Sequence, residues 1–130
     1  MTNQLQNEGE LFVLNNDMAA VTYSLGLYND TTDSLTDSDG YAAITTEPSG
    51  AAYSAQSQGT VTIQLDGSSD GQIVIDPVTF DVSDSTNTVD SVYIRDSSTG
   101  DLIATNAIGS QDLSTKDGSL EVSNAGFSLD

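Results

Sequence analysis

Apolar residues recur at every second position through most of this chain. From Val21 the run VTYSLGLY sets Val21, Tyr23, Leu25 and Leu27 on one side and Thr22, Ser24, Gly26 and Tyr28 on the other. That is the pattern of a strand with one buried face. The alternation resumes at Val61, Ile63 and Leu65, turns through DGSSDG, and continues at Ile73 and Ile75. Pro77 ends that strand, and Val78, Phe80 and Val82 make the next. VDSVYIR and DLIATNAI flank the turn DSSTG, and GSLEV and GFSL flank SNA. Seven to nine short strands with turn residues every eight to twelve positions predict an all-β fold, an antiparallel β-sandwich or jelly-roll-like domain.

Two stretches break the rhythm. Near the start, Leu11, Leu14 and Met18 fall at helical spacing, and Asn7 with Glu10 has the spacing of a capping box. A short helix over about 7–18 is expected, with Asn15, Asn16 and Asp17 weakening its end. Residues 29–40 read as a polar loop, and 41–58 as irregular chain interrupted by Pro48 and Gly50. The expected organisation is an N-terminal arm with a short helix, 1–20, and a single sandwich domain, 21–130. The start has neither a basic region nor a long apolar stretch, so a signal peptide is not expected.

Charge changes the picture more than size does. The 130 residues carry sixteen Asp and four Glu against one Arg and one Lys, a net charge of −18, with no His, Cys or Trp. Cysteine chemistry and histidine catalysis are excluded outright. A polyanion of this strength would repel nucleic acid and anionic lipid, so neither is an expected partner. Regular apolar alternation argues against disorder, leaving a folded protein suited to brine. At molar salt the Debye length shrinks to about 3 Å and carboxylate repulsion is largely screened.

The candidate chemistry is sparse. Asp37, Asp39 and Gly40 match three positions of an EF-hand loop, but Leu35 and Thr46 would then stand at ligand positions, so that motif fails. A looser cation site would use Asp33, Asp37 and Asp39, or Asp66 and Asp70, to hold K, Na, Mg or Ca; no other cofactor is expected. Carboxylate pairs could in principle cleave glycosides, but aromatic platforms are few, and the chain reads as a non-enzyme. A carbohydrate-binding module would need exposed stacking rings, for which Tyr28, Tyr41 and Tyr53 are the candidates. Arg95, one of two cations, is a candidate interface anchor, its alternative being an ion pair with Asp90, Asp96 or Asp101. Leu5, Leu11, Phe12 and Leu14 form the most apolar stretch that strand alternation does not explain, and are read as a second interface element.

The order of segments carries a resemblance. YSLGLYND is followed by ITTEPSGAAY, then VTIQLDG and IVIDPVTFDVS, then VDSVYIRDSSTGDLIATNAI and KDGSLEV. This order resembles a group of small structural proteins of tailed phages and viruses, in which TEPSGxGY follows an LYVGLYTN-like strand and a late hairpin precedes a DGDTLTV-like strand. The resemblance spans roughly residues 8–130. One departure lies after Tyr53, where the group often has YARQ and this chain has YSAQ. The resemblance and the acidity together imply a virion protein of a tailed virus infecting a haloarchaeon. The expected role is capsid decoration or a vertex turret component, with a tail, baseplate or fibre component as the alternative. It would be assembled in the host cytoplasm, and bind capsid protein and its own copies as a trimer or pentamer.

Overall fold

The computed structural model describes residues 6–116 and 118–129, the Glu10 side chain apart; Leu5 lies outside the described residues. The described residues are mostly β, with nine strands in antiparallel sheets and a short helix before them. The strands are β1 (Tyr23–Tyr28), β2 (Gln56–Gln58), β3 (Val61–Leu65), β4 (Gly71–Ile75), β5 (Val78–Asp81), β6 (Thr88–Asp96), β7 (Leu102–Asp112), β8 (Ser119–Val122) and β9 (Gly126–Ser128). A four-stranded sheet runs β2-β1-β6-β7, a three-stranded sheet β3-β4-β9, and β5 pairs with β8.

The period-two positions behave as the pattern predicts. Tyr23, Leu25 and Leu27 of β1 meet Val92 and Ile94 of β6, Ile73 and Ile75 of β4, and Phe80 of β5 in one apolar core joining all three sheets. Each fully buried Leu, Ile or Val contributes about 1.5–3 kcal/mol relative to exposure. Asn106 of β7 ties the layers together: its side-chain amide donates to the Gly126 carbonyl and accepts from the Gly126 N–H, both at 2.9 Å.

β1 departs from expectation on its other face. Gly26 and Tyr28 are as buried there as the core residues on the opposite side. The cover comes from residues 29–58, whose low hydrophobicity gave no sign of packing. That segment contains α2 (Asp30–Asp33), a single turn of 3-10 helix (Tyr41–Ala43) and β2, which extends the sheet by three residues.

The N-terminal helix is present but changes character midway. α1 (Asn7–Val13) is α-helical, and Leu14–Met18 widen into a π-helix closed by the Ala19 N–H on the Leu14 carbonyl. The asparagines supply the reason. Asn15 and Asn16 donate their side-chain amides to the carbonyls of Leu11 and Phe12, competing with the backbone ladder in the final turns. The Met18 carbonyl then accepts the Tyr23 hydroxyl, which anchors the helix end to β1. Among the described residues no helix is long and apolar enough to cross a membrane.

Candidate functional site

The covered face of β1 and β6 is where polar chemistry concentrates. Tyr93 on β6 lies opposite Gly26 on β1. A Cβ at position 26 would stand 2.2 Å from the Tyr93 Cζ and hydroxyl oxygen, so only glycine lets this ring lie across the neighbouring strand. The Tyr93 hydroxyl then reaches Glu47, donating to Oε1 at 2.7 Å. Tyr53 donates to the same oxygen at 2.8 Å, and Tyr41 donates to Oε2 at 2.6 Å. One carboxylate thus gathers three phenols. Such charge-assisted bonds are roughly twice as strong as neutral ones.

The rest of ITTEPSGAAY fastens the same loop. β2 leaves β1 unpaired beyond Leu25, and side chains complete that edge. The Tyr53 hydroxyl accepts the Leu27 N–H at 3.0 Å, and the Thr46 hydroxyl accepts the Asn29 N–H at 2.7 Å. Thr45 and Thr46 donate their hydroxyls to Asp33 at 2.6 and 2.7 Å, and the Thr45 N–H donates to it at 3.0 Å. Gly50 takes a left-handed φ of +97°, turning the N–H groups of Ala51 and Ala52 onto the Asp84 carboxylate.

Burial pushes the tyrosine hydroxyls up. Tyr53 and Tyr93 are raised far above the phenol range by desolvation and by the nearby Glu47 charge. Tyr41 is raised chiefly by its hydrogen bond to Glu47. Asp33 is pushed up by burial, but the hydrogen bonds from Thr45 and Thr46 outweigh it and hold the carboxyl below its ordinary value. Asp90 behaves the same way, with Thr31, Asp30 and Ser91 as donors.

Arg95 sits at the rim of this cluster. Its guanidinium carbon stands 3.5 Å above the centroid of the Tyr41 ring, and its Nε donates to the Gly100 carbonyl at 3.0 Å. Among the described residues its partners are a ring and a carbonyl, not Asp90, Asp96 or Asp101. Beside it opens a depression of about 310 Å³ lined by Tyr41, Glu47, Pro48, Tyr53, Tyr93 and neighbouring residues. Ala55 lines the same depression.

The other expected site residues fall into separate places. Leu14 is fully buried within the chain, so it serves the fold rather than a partner. Leu11 is half-buried, and Phe12 stands 67% exposed, the most exposed large apolar residue described. The five aspartates divide between two loops. Asp33 is committed to the threonines, and Asp39 accepts the Thr36 N–H and hydroxyl. Asp37 is exposed. Asp66 accepts the Ser68 and Asp70 N–H groups and the Ser128 hydroxyl, fastening a turn. Among the described residues no three acidic side chains are gathered as a metal site.

The stacking tyrosines are placed differently from the expectation. Tyr28 is buried against Tyr93, Tyr53 stacks on Phe80 at 5.9 Å, and Arg95 covers a face of Tyr41. Sequence reading missed Glu47, Tyr93 and Gly26 as parts of one cluster. The signal available was the TEPSGxxY motif itself, which carries four of the fastening residues. Comparison with protein-family models, with curated proteins and with solved structures finds no match to this chain.

Proposed function

We propose that this chain is a structural protein of the virion of a tailed virus adapted to brine. It is mounted on the capsid as a decoration or vertex turret component, and binds capsid protein and copies of itself. The observation that carries this reading is the use made of Thr46–Tyr53. That segment, one of several whose order carries the resemblance to small virion proteins, fastens residues 29–58 over β1 and β6.

The helix supplies a second support. Phe12 is exposed on a chain whose other surface chemistry is dominated by carboxylates, and an exposed aromatic is a common interface anchor. The carbohydrate-binding reading loses support, because Tyr28, Tyr41 and Tyr53 are engaged within the chain. The tail, baseplate or fibre reading differs only in where on the particle the chain sits.

The test is density for this chain in intact particles by cryo-electron microscopy, with mass spectrometry of gradient-purified heads and tails. Copies arranged on the capsid as rings of three or five are the expected result. Copies found only in tails would move the protein to the alternative. Its absence from purified particles would overturn the virion reading.

A further inference from the structure

We infer that Arg95, held flat on Tyr41, is a docking point for a carboxylate side chain presented by another protein. An arginine has five N–H donors in a rigid fork. Here Nε–H is spent on Gly100 and one face of the guanidinium is spent on the Tyr41 ring. The terminal N–H groups have no acceptor among the described residues.

That is unexpected in a chain with twenty acidic residues. The nearby carboxylates accept from other donors instead. Both oxygens of Glu47 are taken by tyrosine hydroxyls. Asp96 accepts the Ser98 N–H, and Asp101 accepts the Thr99 hydroxyl.

The fork is also held in place. Tyr41 is fixed from below by its bond to Glu47 and by an edge-on contact with Tyr93 at 5.3 Å. Gly100 has a positive φ of +80°, and a Cβ there would press on the guanidinium. A fork immobilised in advance loses little side-chain freedom when a ligand arrives. The ligand it fits is planar, anionic and bidentate, which is a carboxylate. The open depression of about 310 Å³ beside it leaves room for such a side chain with part of its backbone. The partner is taken to be a protein because acidic side chains are the anions that a brine-adapted protein surface offers in quantity. The assignment does not depend on where the chain is mounted, so it can fail while the virion reading stands.

Arg95 is the only arginine, so its side-chain Nε–Hε signal in a nitrogen-proton NMR spectrum needs no assignment. The full chain, at the lowest KCl concentration at which its melting curve is still intact and at constant ionic strength, is titrated with a capped Gly-Glu-Gly peptide and with its Gly-Gln-Gly counterpart. The expected result is a saturable shift of the arginine signal with the Glu peptide alone, with a dissociation constant in the millimolar range. Arg95→Lys and Tyr41→Leu, each checked for an intact fold by its melting curve, should weaken binding by about threefold or more, since one loses the fork and the other its platform. Binding to Arg95→Lys is followed through the backbone amides of residues 95–101. Equal responses to the two peptides, or no response to either, would overturn the assignment. Galacturonate binding more tightly than the Glu peptide would overturn the choice of a protein partner.

Discussion

Glu47 should be worth more to this protein than any other surface-accessible carboxylate. Its three tyrosine donors at 2.6–2.8 Å join the loop, β1 and β6 through one side chain. Glu47→Ala leaves three phenols without their acceptor beside a void. Hydrogen bonds to a charged group contribute about 1.5–3 kcal/mol each, but three sharing one partner do not add, and the carboxylate's own desolvation cost is recovered. We expect a loss of about 3–5 kcal/mol for Glu47→Ala. For Glu47→Gln, which keeps the shape but turns one acceptor into a donor, about 2–3 kcal/mol is expected. In a domain of this size each kcal/mol moves Tm by about 3–5 °C.

The phenols should divide unequally. Tyr53→Phe removes the donor to Glu47 and also the acceptor of the Leu27 N–H, so it should cost more than Tyr41→Phe, whose ring lies nearer the rim. Coupling is the decisive readout. In a Glu47→Ala background, Tyr93→Phe should cost much less than in the wild type, because its partner is already gone. The assay is thermal and urea unfolding of the single and double variants in concentrated KCl. A Glu47→Gln protein melting within about 1 °C of the wild type would refute the reasoning. So would strict additivity of Glu47→Ala with Tyr93→Phe.

Four further outcomes follow from the same contacts. Gly26→Ala should cost well over the usual 1–3 kcal/mol of overpacking, since the new methyl would overlap the Tyr93 ring, and a normal melting curve would contradict that packing. The chain has no His, so stability should be flat between the carboxylate and tyrosine ranges. Asp33 and Asp90, lowered in the fold, contribute stability that is present above about pH 4 and lost as pH falls through their folded values. All five tyrosines are raised, Tyr23 to about 12, so the fold should hold below about pH 10 and lose stability as pH rises from there, with tyrosinate absorbance growing in step with unfolding. At −18, repulsion at low ionic strength competes with a net stability of about 5–15 kcal/mol, so Tm should climb steeply between about 0.1 and 3 M KCl; a flat curve would refute the brine reading. Leu14→Ala should destabilise the fold by about 2–5 kcal/mol, whereas Phe12→Ala should leave Tm nearly unchanged and reduce incorporation into particles.

What the sequence made legible was decided by where the apolar side chains lie. Strands β3 to β9 were visible as alternating or short apolar runs between turns, because one face of each is at least half-buried and the other is more open to water. The second face of β1 was not. It is covered by residues 29–58, and that cover is built from Thr, Asp, Glu and Tyr, residue types whose burial depends on finding a specific partner. Thr46 reads as a loop residue until Asn29 and Asp33 stand beside it, and nothing in a one-dimensional pattern brings positions 29, 33 and 46 together. The π-helical turn was hidden for a similar reason: helical spacing marks the face, but the competing amide bonds of Asn15 and Asn16 set the pitch.

The same covering segment explains how so acidic a chain can be internally well paired with almost no cations. Its carboxylates take hydroxyls and backbone N–H groups as partners. Asp33 holds two threonines, Asp90 holds Thr31 and the start of α2, Asp84 holds the turn at Gly50, and Glu47 holds three tyrosines. An ion pair on a surface contributes little and fades as salt rises. A carboxylate accepting a neutral donor has no opposite charge to be screened, so its short-range geometry survives in brine. Acidic residues therefore do two jobs that the composition alone could not separate: those in contact with Thr, Ser and Tyr fasten loops, and those without such donors hydrate the surface. Adding a lysine beside Asp33 or Asp90 would bring an ion pair that molar salt weakens, and would crowd donors that salt leaves alone. On this account the loops are fastened without Lys, whatever the solvent they face.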